Sequence, residues 1–197
     1  MAKRVVVIVS GETDRRAVPH LCRLVTAGME FFDVRKPPGN SSLTPEQAVK
    51  IAKAAWYELL ANPPQKFVIL VDADEHCETP SHATAPFQSA VDQLGHIAAA
   101  FLVAVAVRHL ESWYFADEPA LRAFLGRDLG AVDPSQPDKM ANPKLHLTQL
   151  LKSKRRLYTA QLSESIAMKL DPDKVAARSP SFLKFLAMVQ NGETTGI

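Results

Sequence analysis

The sequence predicts an α/β protein: a parallel sheet of about four strands with flanking helices, plus a helical C-terminal part. Apolar runs at Arg4–Val9, Phe67–Val71 and Phe101–Val107 are uninterrupted, as is typical of parallel strands covered on both faces. Helical stretches alternate with these runs, which favours right-handed strand–helix–strand crossovers. From Glu118 onward the pattern changes to helices interrupted by prolines.

The first elements alternate regularly. Strand one, Arg4–Val9, leads into a helix that begins at Thr13 or Asp14. We expect this helix to end near Thr26, before Gly28. The elements that follow are a more polar strand at Glu30–Arg35, the loop PPGNSS, a helix from Thr44-Pro45-Glu46 to Asn62, and the central strand from Lys66.

Helices dominate the rest of the chain. After the central strand the segment ETPSHATAP is predicted to be irregular, and Phe87–Ala99 is predicted to be a helix that leads to strand four. Further helices are predicted at residues 119–125, 143–157, 159–169 and 180–190. We therefore divide the chain into a core at residues 1–117 and a helical C-terminal extension at residues 118–197 that packs on the core.

Composition limits the class of protein. Of 197 residues, 47% are hydrophobic and 22% are charged, which is ordinary for a globular protein. The longest apolar stretch, Ile97–Val107, has 11 residues and is too short to span a membrane. Because only Cys22 and Cys77 are present, we predict no disulfide framework. We expect a protein of the reducing cytoplasm with no membrane association.

Charge is unevenly distributed along the chain. Residues 1–137 contain 13 Lys and Arg against 16 Asp and Glu, whereas residues 138–197 contain 10 against 5. A dense basic run in the second part, together with Arg108 after strand four, is a candidate contact for nucleic-acid phosphates. A solvated helix face explains the run equally well. This basic run consists of Lys152, Lys154, Arg155 and Arg156.

Acidic residues follow three of the four predicted strands. Because the carboxyl ends of parallel strands meet at one edge of a sheet, we expect these acids to lie together. Clustered carboxylates repel one another unless a cation lies among them, and their hard oxygen atoms suit Mg²⁺ or Mn²⁺. The sequence therefore predicts a divalent metal site. The acids are Glu12 and Asp14 after strand one, Asp72, Asp74 and Glu75 after strand three, and Glu111 after strand four.

Five segments carry a resemblance to a known family: VSGETDRR, FVILVDADE, LESWYFADEPAL, NPK and DPDKVAARSPSFLKFL. The sequence resembles bacterial Toprim-like proteins of family 4276 among the domains of unknown function. It is similar more broadly to the Toprim domains of topoisomerases, primases and OLD-type nucleases. Its Glu111-Ser112-Trp113 element also resembles RloB-like proteins. The resemblance covers nearly the whole chain.

The resemblance implies roles for particular residues. Asp72 and Asp74 would bind metal, Glu111 would be a supporting ligand, and all three would belong to a catalytic site for phosphodiester cleavage. Toprim proteins usually have Glu-Gly at the end of strand one, where this sequence has Ser10-Gly11. Because serine carries no charge at neutral pH, Glu12 is the candidate catalytic acid that would take over this role.

Two functions fit these observations. The first is a metal-dependent nuclease acting on DNA or RNA, and the resemblance implies a role in phage defence beside an ATPase partner. The alternative is a catalytically degenerate adaptor that binds nucleic acid or an ATPase without cleavage. Haloacid-dehalogenase phosphatases and receiver domains also use paired acids, but both place acids after the first strand, where Ser10-Gly11 stands here.

Other residues near the predicted site have competing interpretations. His76, Cys77 and His82 would suit zinc, but their spacing matches no standard zinc site. His109 could contact a phosphate or transfer a proton, or it could be a partly buried structural histidine. The aromatic residues Trp113–Phe115 could stack on bases or belong to the core.

Overall fold

Four parallel strands form one sheet at the centre of the protein, as the sequence predicts. The computed structural model describes residues 3–39, 41–73, 80–126, 128–130 and 133–190. The order across the sheet is second, first, third and fourth strand, so the strand order reverses between the first and third strands. The strands are β1 (Arg4–Ile8), β2 (Phe31–Arg35), β3 (Lys66–Ala73) and β4 (Ala100–Val107).

Helices connect the strands and make up the C-terminal part. Within the described ranges, no helix is both long enough and apolar enough to cross a membrane. The helices are α1 (Glu12–Leu21), α2 (Arg23–Thr26), α3 (Pro45–Glu58), α4 (Pro80–Asp92), α5 (Glu111–Ala116), α6 (Glu118–Leu125), α7 (Pro143–Lys152), α8 (Ala160–Lys169), α9 (Pro172–Arg178) and α10 (Pro180–Gln190), with a 3₁₀ turn at Pro137–Lys139.

The sheet separates two apolar cores. Val5 and Val7 of β1 belong to the first core, and Val6 and Ile8 belong to the second, because successive residues of a strand point to opposite faces. α1 and the C-terminal helices cover the first core, whereas α3 and α4 cover the second. Burial of both faces explains why the strands are uninterrupted apolar runs.

The C-terminal helices form part of the first core. α8 packs along α1, and α10 packs against β4. The Trp113 ring stacks on Phe185 of α10 with centroids 5.5 Å apart, and its Nε1 donates a hydrogen bond of 2.8 Å to Ser181 Oγ. The helices after residue 118 therefore cover the sheet directly. The exact division at residue 118 stays a prediction.

Helix α4 differs from the sequence prediction. It begins at Pro80 rather than Phe87, so part of the segment predicted to be irregular is helical. Pro86 lies inside the helix and removes one backbone hydrogen-bond donor. Ala83 and Phe87 nevertheless pack against the second core. This tertiary packing outweighs the local signal of the proline.

The end of α7 also differs. The helix ends at Lys152, before the predicted end at residue 157. Arg155 has a φ of 55°, in the left-handed region that glycine usually occupies after a helix. The backbone N–H of Arg156 then donates a hydrogen bond of 3.1 Å to the carbonyl oxygen of Leu151, which closes the helix end. The short helices α5 and α9 are absent from the sequence prediction because six or seven residues show little periodicity.

Lys66, at the start of β3, is a buried cation within the fold. Only 1% of the residue is exposed, and burial lowers the pKa of its amine. Its Nζ donates hydrogen bonds to the carbonyl oxygens of Met188 at 2.7 Å and Val189 at 2.9 Å, near the end of α10. The last carbonyls of a helix have no partner within the helix, and a cation there also favours the helix dipole. Lys66 therefore joins the sheet to α10.

We predict that Lys66→Met lowers the free energy of unfolding by about 1–3 kcal/mol, because two buried carbonyl groups lose their hydrogen bonds. Each kcal/mol corresponds to about 2–4 °C in Tm for a protein of this size. Thermal unfolding followed by circular dichroism measures the change. The matched control is Lys169→Met, which removes an exposed lysine of α8 and should leave Tm within about 1 °C. If both variants unfold at the wild-type Tm, Lys66 does not hold α10.

Candidate functional site

A cavity of about 530 Å³ opens at the carboxyl edge of the sheet, between the ends of β1 and β3. The strand order reverses at this point, where open parallel sheets bind their ligands. Five segments of the chain form its walls. The lining residues are Ser10, Gly11, Thr13, Asp14, Ser41, Ser42, Leu43, Val71, Asp72, His82, Ala83, Phe87 and Lys144.

Asp14 is the acid that the turn between β1 and α1 contributes to the cavity. It is the third residue of α1, close to the backbone of Gly11, the capping residue. Only 8% of Asp14 is exposed. Burial raises the pKa of Asp14 well above its ordinary value. The negative charges of Asp72 and Glu111 raise the pKa further, whereas the positive charge of Lys144 lowers it.

Glu111 belongs to the same cluster and comes from the end of β4. It is the first residue of α5 and is 2% exposed. Burial raises the pKa of Glu111, the charge of Lys144 opposes this shift, and the charge of Asp72 reinforces it. The preceding turn contains Arg108 with a φ of 70°, and such strained backbone concentrates at functional sites. The predicted contact of Arg108 with nucleic acid stays a prediction.

His109 lies beside Asp72. The distance from His109 Nδ1 to Asp72 Oδ2 is 3.4 Å, and about a quarter of each side chain is exposed. This hydrogen bond, in which the protonated ring nitrogen donates, raises the pKa of His109, whereas burial lowers it. The negative charge of Glu111 adds to the increase. His109 is therefore an imidazole held against Asp72, which lines the cavity, while His109 itself is not part of the lining.

Lys144 lines the site although its sequence context predicts no role for it. It is the second residue of α7 and follows Asn142, which has a φ of 49°. The side chain lines the cavity, and its charge lowers the pKa of Asp14, Glu111 and His109. The quoted segment NPK contains this lysine, but nothing in the local sequence shows that α7 reaches an edge of the sheet formed by residues far earlier in the chain.

Glu12 takes part in a different set of contacts. Its carboxylate lies 2.6 Å from Nη2 of Arg15 and 2.8 Å from Nε of Arg16. Hydrogen bonds from Arg15 and Arg16 lower the pKa of Glu12 to about 2. Glu12 is also absent from the cavity lining, which contains Asp14 instead. The catalytic role of Glu12 stays a prediction, but the geometry favours Asp14 as the acid from this turn.

Other residues predicted to be functional lie outside the described residues, in the cavity wall or in the core. Asp74, His76 and Cys77 lie outside the described residues, so the metal-ligand and catalytic roles of Asp74 and the zinc alternative stay predictions. His82 lies in the cavity wall. The aromatic residues Trp113–Phe115 are fully buried, so they belong to the core and are not available to stack on bases.

The basic run lies apart from the cavity. Lys152, Lys154, Arg155 and Arg156 are all exposed, and the two arginines line a separate groove along α8. The guanidinium carbon of Arg156 is 5.3 Å from the centroid of the Phe124 ring, a cation–π distance. Among the residues with described positions, no carboxylate forms an ion pair with these four side chains. The predicted contact of this run with nucleic acid stays a prediction.

The cavity offers the donor atoms that Mg²⁺ and Mn²⁺ prefer. Asp14 and Asp72 supply carboxylate oxygens to the cavity, and a cation between them would relieve their repulsion, whereas Glu111 lies outside the lining and acts on them through its charge. Across the described segments, no three His, Cys, Asp or Glu side chains are grouped closely enough to hold a metal by themselves. Mg²⁺ is often held by one or two carboxylates, with water and substrate phosphate as the other ligands. The donor set fits that mode of binding.

The fold and the cavity define an α/β protein with an acidic site at the switch point of a parallel sheet. The chain belongs to the family described as Domain of unknown function (DUF4276), whose model matches residues 9–190. This membership agrees with the resemblance seen in the sequence. No curated protein matches the chain.

Two solved structures resemble this protein. Both are of the C-terminal region of the Xanthomonas campestris pv. campestris OLD protein, one phased with platinum and one with iodine. The first has a TM-score of 0.51 and 16% identity, covering 96% of this chain and 93% of that chain. The second has a TM-score of 0.49 and 17% identity, covering 96% and 95%. The likeness to the platinum-phased structure concerns the fold, and it extends over nearly the whole chain.

We predict that Asp14→Asn raises the Tm of the protein in EDTA at neutral pH. An acid whose pKa is raised by folding stabilises the fold while it is protonated, and this contribution is lost as pH rises through the raised pKa. Asparagine keeps the shape without the charge. A gain of about 1 kcal/mol would raise Tm by roughly 2–4 °C, measurable by scanning calorimetry. The difference from wild type should shrink as pH falls and Asp14 becomes protonated.

The matched control is Glu12→Gln, on the same turn of α1. Glu12 has exposed ion pairs and a lowered pKa, so its replacement should leave Tm unchanged or slightly lower. A higher Tm for Glu12→Gln than for Asp14→Asn would mean that the repulsion lies elsewhere.

Proposed function

We propose that this protein is a Toprim-like nuclease that hydrolyses phosphodiester bonds of DNA or RNA with Mg²⁺ or Mn²⁺. The observation that carries the proposal is that Asp14, Asp72 and Lys144 line one cavity at the switch point of the sheet, with buried Glu111 near enough to interact electrostatically with them. Burying like charges together costs free energy, and groups with raised pKa values in a cleft are typical of functional sites. The resemblance of the sequence to Toprim proteins favours phosphodiester chemistry.

Each residue of the cluster has a role in this proposal. Asp72 would bind the cation together with Asp74, and Glu111 would support it. Asp14 would supply the carboxylate that Toprim proteins have at the position of Ser10. A bound cation would polarise a phosphate oxygen and lower the pKa of attacking water.

Two further residues would act on the phosphate itself. Lys144 would neutralise the charge that builds up on the phosphate oxygens as water attacks, because its ammonium group lines the same cavity. His109 would give a proton to the oxygen that leaves, since the hydrogen bond to Asp72 keeps the imidazole protonated to higher pH.

The alternative is an adaptor that binds without cleaving. Ser10 in the cavity wall favours it, because serine brings no charge where Toprim proteins have a glutamate. The lack of three grouped donors in the described part of the chain also favours it. In either case, we expect a protein of the cytoplasm. An ATPase partner and a role in phage defence are what the resemblance implies.

We predict that Asp72→Asn and Asp14→Asn each lower Mn²⁺-dependent cleavage at least about 100-fold, since loss of one preorganised electrostatic group typically costs 10²–10³ in rate. Lys144→Met should have a similar effect for the same reason. Gel assays with labelled DNA and RNA, in Mn²⁺, Mg²⁺ or EDTA, measure the rates. Glu12→Gln is the control and should retain wild-type cleavage.

Two results would change the proposal. If Glu12→Gln abolishes cleavage and Asp14→Asn does not, Glu12 is the catalytic acid. If the wild type binds Mn²⁺ but cleaves neither DNA nor RNA, the adaptor alternative holds. In that case Ser10→Glu tests whether the missing carboxylate restores activity.

We also predict that replacing Arg155 and Arg156 together by glutamine weakens retention of nucleic acid at low salt. Each lost phosphate contact should reduce the slope of log affinity against log salt by roughly 0.7–0.9. Filter binding over a range of salt concentrations measures this slope. The control replaces Lys50 and Lys53 of α3, on the other side of the sheet. Equal slopes for both variants would mean that the basic run is solvated surface without a role in binding nucleic acid.

A further inference from the structure

The cavity has two chemically different halves. Asp14 and Lys144 come from helices on the first face of the sheet and, with Asp72, make one half charged. Leu43 and Phe87 pack against the core of the second face and make the other half apolar. A ligand that fills both halves must therefore carry a charged group at one end and an apolar group at the other.

We propose that the apolar half is a subsite for a nucleobase, occupied by the base of the nucleotide whose phosphate lies at the charged half. This inference rests on the proposed function and names the substrate class of that site. The volume of about 530 Å³ lies within the usual range of roughly 300–1,000 Å³ for small-ligand sites. A phosphate alone would leave most of this volume unfilled.

The side chains of the apolar half suit a flat aromatic group. Phe87 of α4 is only partly buried, so its ring is available for stacking, which tolerates any base because every base has a π face. Leu43 contributes aliphatic surface from the loop before α3. Ser41, Ser42 and His82 supply hydroxyl and imidazole groups that can form hydrogen bonds with base edges.

A base inside this cavity cannot remain in a duplex. Bases of a double helix are stacked and paired, so one of them can lay its face on the Phe87 ring in this open cleft only after it leaves the stack. Single strands and unpaired ends present such bases without that cost. The subsite therefore selects single-stranded or end-frayed nucleic acid over closed duplex.

Calorimetric titrations of the full chain in saturating Mn²⁺ test the subsite, with thymidine monophosphate and deoxyribose 5-phosphate as probes. Both probes carry the phosphate and the sugar, and only the first carries a base. We expect the nucleotide to bind at least about tenfold more tightly, consistent with the stacking of one base. Phe87→Leu keeps an apolar side chain that is compatible with a helix but removes the aromatic ring. It should abolish most of the difference in affinity between the two probes while the affinity for Mn²⁺ stays unchanged.

The matched control is Phe32→Leu, a partly buried phenylalanine of β2 outside the cavity, which should keep the full preference. The base subsite would be contradicted if Mn²⁺-loaded wild type bound the two probes with equal affinity, or if the preference for the nucleotide survived Phe87→Leu. Neither result would contradict the metal site. Absence of Mn²⁺ binding in wild type would overturn both proposals. In competition, a single-stranded oligonucleotide should displace the nucleotide, and equal displacement by a duplex closed with hairpins at both ends would contradict the substrate class.

Discussion

Repulsion among clustered carboxylates is the interaction on which the rest of this site depends. Asp14 and Glu111 are buried, and each raises its pKa in response to burial and to the charge of Asp72. Lys144 and His109 offset part of the repulsion without removing it. A fold retains such an arrangement when a ligand uses it, and a divalent cation is the ligand that relieves it most directly. In the proposed metal-binding role, lower stability without metal and affinity for metal would be two effects of the same charges.

The C-terminal helices complete this arrangement. They close the first core through Trp113 and α10, and they bring Lys144 to the cavity at the start of α7. Without these helices, the acids would lack the ammonium group of Lys144. A helical part that covers one face of the sheet and also reaches its carboxyl edge therefore contributes both to stability and to the chemistry of the site.

The sequence predicts the parallel sheet and the meeting of acids at its edge, because apolar runs and strand ends are local features. Residue type alone does not show which of Glu12 and Asp14 is the acid of the site. The spacing of their neighbours does distinguish the two acids. Arg15 and Arg16 follow Glu12 by three and four residues, the spacing at which ion pairs form on a helix. Asp14 is the third residue of the helix, a position from which an acidic side chain turns back to the helix start. The contact of Lys144 depends on tertiary packing across more than half of the chain, which no local pattern records.

The most direct test of this central cluster is a calorimetric titration with Mn²⁺ at neutral pH in two buffers of different ionisation heat, which reports both affinity and protons released. Binding of the cation displaces whatever protons the acids with raised pKa values still carry, so wild type should release protons, and more of them as the pH is lowered. Asp14→Asn should bind at least about tenfold more weakly and release fewer protons, whereas Glu12→Gln should match wild type. Unchanged affinity and proton release in Asp14→Asn would contradict a cation held by this cluster.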